Sequence, residues 1–168
     1  RQMCIRDRDN MARLFRMADF PVVCANYDVS ATVLKDLVKP YVVFERDGVK
    51  IGVLGLGCQL EGMVQANKCV GVVYNDPVTV ANEVAAVLKE KEGCDVVVCL
   101  SHLGVQYDEN QLIPKTRNID VVLGGHSHTF MKGPKTLLNM DGKNVSLMHT
   151  GKSGIYVGQM DLTLEKKK

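Results

Sequence analysis

The run CDVVVCLSH (94–102) decides the fold, because Val96 to Leu100 form an unbroken apolar stretch too short for a buried helix that then closes on a histidine. Such a run suits a strand covered on both faces, as in a parallel sheet. The segment before it, NDPVTVANEVAAVLKEKEG (75–93), has helix punctuation: Asp76 as N-cap, Pro77 in the first turn, an apolar stripe through Val80, Val84, Val87 and Leu88, and Gly93 at the close. After it the theme repeats, with a weak helix candidate at QLIPKTRN (111–118) and a second apolar strand, IDVVLGGHSH (119–128), again ending in histidines. Strand, helix and strand in this order make a βαβ unit, so the expected class is α/β.

Further upstream, YVVFERDGVKIGVLGLG (41–57) places Asp47-Gly48 between two β-rich runs, 41–46 and 49–56, and both turn positions favour positive φ. A hairpin is expected there. PVVCAN (21–26) reads as a short buried strand with Asn26 at its end, and NMARLFRMA (10–18) as an amphipathic helix on Met11, Leu14, Phe15 and Ala18, stopped by Phe20 and Pro21. The last stretch, KTLLNMDGKNVSLMHTGKSGIYVGQMDLTLE (135–165), predicts an antiparallel meander turning at Asp141-Gly142 and around Lys152 and Gly154.

Composition narrows the class. With 46% hydrophobic and 24% charged residues in 168, the chain has the balance of an ordinary globular domain. The net charge of +2 arises at the ends, since Arg1, Arg6, Arg8 and Asp7 at one and Glu165 with Lys166, Lys167 and Lys168 at the other outweigh a slightly acidic interior. No nucleic-acid footprint and no membrane-spanning run is visible. The start, which includes MCIRDR, resembles translated sequencing-adaptor sequence, so residues 1–8 are set apart as non-native, 9–165 as a partial catalytic domain and 166–168 as a basic tail. Six cysteines form no CxxC pair; Cys24, Cys58, Cys94 and Cys99 lie in or beside apolar runs and read as buried free thiols, with a Cys58–Cys69 disulfide as the alternative.

Chemistry is expected where parallel strands end, because side chains there leave a rigid frame and face a crevice. His102 ends one strand, and His126 and His128 end another. If strand geometry persists through His126-Ser127-His128, both imidazoles project to one side, where they can share a metal or serve two adjacent ones, and Gly124 and Gly125 permit close approach of a neighbouring strand or ion. The bland alternative is ordinary surface polarity. His149, within SLMHTG, reads as mid-strand and structural. TGKSG (150–154) imitates the end of a P-loop, but Ser146 stands where that motif needs glycine and a strand-like segment follows instead of a helix.

LSHLG (100–104) followed by GGHSHT (124–129) resembles the later motifs of the calcineurin-like metallophosphoesterases, above all the 5'-nucleotidase branch. CANYD (24–28), KPYVVFERDGVKIGVLGL (39–56) and HTGKSGIYVGQMDL (149–162) extend the likeness over roughly residues 9–164. The resemblance implies the C-terminal half of a layered αββα sandwich that hydrolyses phosphoric esters with two divalent ions, zinc, manganese or similar. It implies His102 and His126 as ligands of one ion and His128 as a ligand of the other. The family's Asp-x-His, Gly-Asp and Gly-Asn-His-Glu motifs, including its catalytic histidine, have no counterpart in this sequence; the resemblance puts them upstream, which leaves this piece inactive alone. It further implies a nucleotide or other phosphomonoester substrate, a separate C-terminal nucleotide-binding domain in some members, and a periplasmic or cell-surface setting. A phosphodiesterase or sugar phosphatase of the same superfamily, a metal-binding inactive half-domain and a purely structural α/β module remain the alternatives.

Overall fold

The computed structural model describes residues 8–164, so all but Arg8 of the proposed non-native start, together with the basic tail, lies outside the described residues. In chain order the elements are α1 (Arg8–Met17), β1 (Val22–Val23), β2 (Tyr27–Asp28), β3 (Val38–Lys39), β4 (Tyr41–Arg46), β5 (Val49–Leu56), α2 (Ala66–Cys69), β6 (Val73–Tyr74), α3 (Pro77–Ala86), β7 (Val96–Ser101), α4 (Val105–Tyr107), β8 (Val121–Gly124), β9 (Lys135–Leu138) and β10 (Asn144–His149). The fold is α/β. A six-stranded sheet in the order β4-β5-β7-β8-β10-β9 forms its centre, and two small two-stranded ribbons, β1-β3 and β2-β6, flank it.

The inner strands β5, β7, β8 and β10 are mutually parallel, and the edge strands β4 and β9 run antiparallel to them. The Asp47-Gly48 hairpin is present, with φ of 52° and 76° at the two turn residues. Asp76 caps α3 as its side chain accepts the Thr79 amide at 2.8 Å. The helix continues as a π-type turn over Val87–Lys91, and Gly93 closes it at φ 68°. Its buried stripe is Pro77, Ala81, Ala85 and Leu88; of the expected line Val80, Val84, Val87 and Leu88, Leu88 is fully buried and Val84 packs against the core, while Val80 and Val87 are only partly covered. Small residues win this face because the helix lies directly on the sheet, where Leu54, Val97, Cys99, Val122 and Leu147 complete the core.

Several expectations change in the same way. In α1 the buried face is Met11 and Ala12, with Phe15 packed beside them, while Leu14 is 38% exposed. Helical turns begin at Val105, ahead of QLIPKTRN, and run through Lys115. The C-terminal stretch is only half a meander: β9 and β10 form an antiparallel hairpin, but β10 pairs parallel with β8. A parallel neighbour requires the chain to return to the strand's starting end, and β9 makes that return along the sheet edge, in the role helices play elsewhere in the sheet. Residues 155–164, expected as a strand, carry no strand pairing, and Val157 is 96% exposed. The five cysteines among the described residues are free thiols, so no Cys58–Cys69 disulfide forms. No helix of the described residues is long and apolar enough to cross a membrane.

Candidate metal centre

Four parallel strands end at one edge of the sheet, and the loops leaving three of them are stitched together by backbone hydrogen bonds. The His102 amide donates to the Leu56 carbonyl at 2.8 Å, and the Gly125 amide donates to the Ser101 carbonyl at 2.9 Å. Cys58, His102 and His126, each one or two residues past a strand end, therefore share one small region. The Cys58 sulfur and one ring nitrogen from each histidine all lie within 4.8 Å of one another. The two imidazoles meet edge to face, with centroids 5.1 Å apart and planes at 68°. His102 keeps solvent access on one side, yet the packing around it removes enough water to hold its pKa below the usual histidine value, with the neighbouring His126 and His128 acting in the same direction. A neutral imidazole has the free lone pair that a metal ion requires.

The structure brings His102 and His126 together and leaves His128 outside that donor set, exposed on the loop. Strand geometry does not persist through the His126-Ser127-His128 segment. β8 stops at Gly124, and His126 and His128 both adopt left-handed backbone angles, φ 73° and 56°. Each such residue costs on the order of 1–3 kcal/mol, a strain found where a loop must aim side chains at a site. Ser127 anchors the turn: its hydroxyl accepts the Val105 amide at 3.1 Å and lies 3.0 Å from the Thr129 hydroxyl.

Glycines make room for this arrangement. A Cβ on Gly125 would stand 3.2 Å from His102 Nδ1, and one on Gly124 would stand 1.9 Å from His149 Nε2. His149 is thus the last residue of β10, paired in register with Gly124, and not a mid-strand residue. Its ring and Asp108 are 1% and 0% exposed, with Nε2 2.9 Å from Asp108 Oδ2. The Ser101 hydroxyl donates to the other Asp108 oxygen at 2.5 Å. Ser101 precedes His102 and Gly124 precedes the His126 turn, so this buried trio ties the two histidine-bearing strands to β10. His149 Nδ1 is buried with no hydrogen-bond partner among the described residues.

Cys58 is the residue that sequence reading missed, because it was classed with the buried thiols. The signal was available in register, since Cys58 follows the end of β5 as His126 follows β8. Asn26 explains its placement. Fully buried, its side chain brackets Gly57, accepting from the amide at 2.7 Å and donating to the carbonyl at 2.8 Å. The Tyr27 hydroxyl donates to the Cys58 carbonyl. A Cβ at Gly57 would lie 2.4 Å from the Tyr27 ring, so the close approach requires glycine. An open pocket beside His126 is walled by Leu103, Tyr107, Asn110 and Gln111.

No family model matches the chain. It is 27% identical over 170 residues to the trifunctional nucleotide phosphoesterase YfkN of Bacillus subtilis, an alignment covering 91% of the chain and 11% of that protein. It is 32% identical over 132 residues to a 5'-nucleotidase of Vibrio cholerae, covering 70% of the chain and 24% of the relative. The crystal structure of a 5'-nucleotidase precursor from Thermus thermophilus superposes with a TM-score of 0.72 at 29% identity, over 83% of this chain and 29% of that one. The chain thus spans less than a third of each. The fold and these alignments liken this α/β domain to the calcineurin-like phosphoesterases, a class of phosphoester hydrolases. Within that class the recurring likeness is to proteins named 5'-nucleotidase.

Proposed function

We propose that this chain contributes metal ligands to a hydrolase that releases phosphate from nucleotides. The observation that carries the reading is the meeting of His102 and His126 at the carboxyl edge of the parallel sheet, with donor atoms within 4.8 Å. In this reading His102 and His126 hold one divalent ion and His128, on its left-handed turn, faces a second. Bound ions would supply Lewis-acid polarisation of the phosphoryl group and a water of lowered pKa.

Beyond its ligands, this chain's contribution is positional. The Ser101–Asp108–His149 network fixes the strand ends, Gly124 and Gly125 let rings and backbone approach, and Ser127 holds the histidine turn in place. The carboxylate-bearing motifs and catalytic histidine of the family are not in this sequence. They are proposed to come from a preceding segment, so residues 9–165 alone bind metal without turning over substrate. Nucleotides are the favoured substrate because the curated relatives are named 5'-nucleotidase and nucleotide phosphoesterase. A periplasmic or surface setting and a following nucleotide-binding domain are proposed on the same likeness.

The test is phosphate release from AMP with manganese or zinc, for the chain alone and for the chain joined to a relative's upstream segment carrying the missing motifs. Activity only in the joined protein, lost on His126→Ala, supports the reading. A folded joined protein that binds no metal and releases no phosphate refutes it.

A further inference from the structure

Neither the family resemblance nor the ligand set proposed above uses Cys58. We infer that Cys58 is a third ligand in the His102–His126 site, giving a Cys-His-His set that favours a thiophilic divalent ion, zinc or cobalt, over manganese or magnesium. The inference rests on the metal reading of the two histidines and adds the choice of ion.

Three observations support it. First, the three donor atoms lie within 4.8 Å of one another. Tetrahedral zinc sites, with bonds of about 2.0–2.3 Å, separate their donors by roughly 3.5 Å, so side-chain rotation of about an ångström closes the set. Second, the backbone carrying the thiol is fixed by the Asn26 bracket on Gly57 and the Tyr27 bond to the Cys58 carbonyl, so little order remains to be imposed on binding. Third, no covalent partner holds the thiol. Cys58 is a free thiol, and its side-chain neighbours are the Met63 sulfur at 3.8 Å and the Tyr27 hydroxyl, both of which a metal ion can displace. Three ligands from this chain leave a fourth tetrahedral position, taken by water in the chain alone and available to a carboxylate of the proposed preceding segment. A soft sulfur donor shifts preference away from the hard ions that carboxylate and water ligands suit.

Cobalt reports directly on the ligands. Titration of the chain with Co(II) is expected to give visible d–d bands of a tetrahedral ion together with a near-ultraviolet sulfur-to-cobalt charge-transfer band. Cys58→Ser should abolish the charge-transfer band and weaken zinc binding on the order of 100-fold while changing manganese binding far less. His126→Ala should weaken both sets of bands. Alkylation of Cys58 in the unmodified chain, mapped by mass spectrometry, should be slowed by zinc, which keeps the inference testable if the serine variant misfolds. Visible bands with no charge-transfer band, and no zinc protection of Cys58, would overturn the cysteine ligand and leave the histidine site standing. Absence of any cobalt band and of protection would overturn both.

Discussion

Gly124 shows what a single position decides at the strand ends. In sequence it reads as freedom for a neighbouring strand or an ion to come close, and the neighbour proves to be the buried His149 ring. Gly124→Ala is expected to destabilise the protein by about 1–3 kcal/mol, measured by urea denaturation, because an added methyl overlaps a ring that has no space to retreat. Alkaline pH probes the layer behind the site. Burial pushes the Cys24 thiol from its ordinary 9.0 to about 11, and desolvation raises Tyr27 as well. Both groups hold in the folded state a proton that the unfolded chain releases sooner. The Cys24 contribution is therefore complete below about pH 9 and is lost as pH rises through about 11, while that of Tyr27 begins to fall only above its ordinary value of 10.0. The urea midpoint should fall over that window, and less so in Cys24→Ser. A midpoint that does not move would contradict the burial assigned to Cys24.

At the scale of elements, local chemistry wrote the punctuation and packing chose the faces. The Asp76 cap, Pro77, Gly93 and the Asp47-Gly48 turn were legible because each satisfies a backbone requirement inside a few residues. Asp76→Ala should cost about 1 kcal/mol by thermal or urea unfolding, the usual value of a lost N-cap bond. The inward stripe of α3 was legible at Leu88 and Val84 but not at Ala81 and Ala85, which close helix-to-sheet contact selects over larger aliphatics. The link between Asp108, in the helical turn after α4, and β10 carries a larger effect. Asp108→Ala leaves His149 and Ser101 without their shared partner in a fully buried setting, and should cost about 3–5 kcal/mol. Asp108→Asn, which keeps shape and one acceptor, should cost less.

For the whole molecule, a metal site at the junction of three loops makes ligand binding a folding term. If the ion binds only the folded chain, zinc at about 100 times its dissociation constant adds about 2.7 kcal/mol, and the thermal midpoint should rise accordingly. His126→Ala should remove that rise. An equal shift in the variant would place the ion elsewhere.

The sequence by itself determined the α/β class, the hairpin, the two apolar strands at 96–101 and 121–124 and the placing of histidines at their ends, because apolar runs, caps and turn residues act over a few neighbours. Only the tertiary structure decided that β10 lies parallel to β8, that His149 pairs with Asp108 beneath the site, that the His126-Ser127-His128 turn abandons strand geometry, and that Cys58 stands beside His102 and His126. The physical reason is common to all four. Each depends on which strand ends become neighbours, and that is fixed by burial and hydrogen bonding between segments far apart in the chain, where no local pattern records the partner.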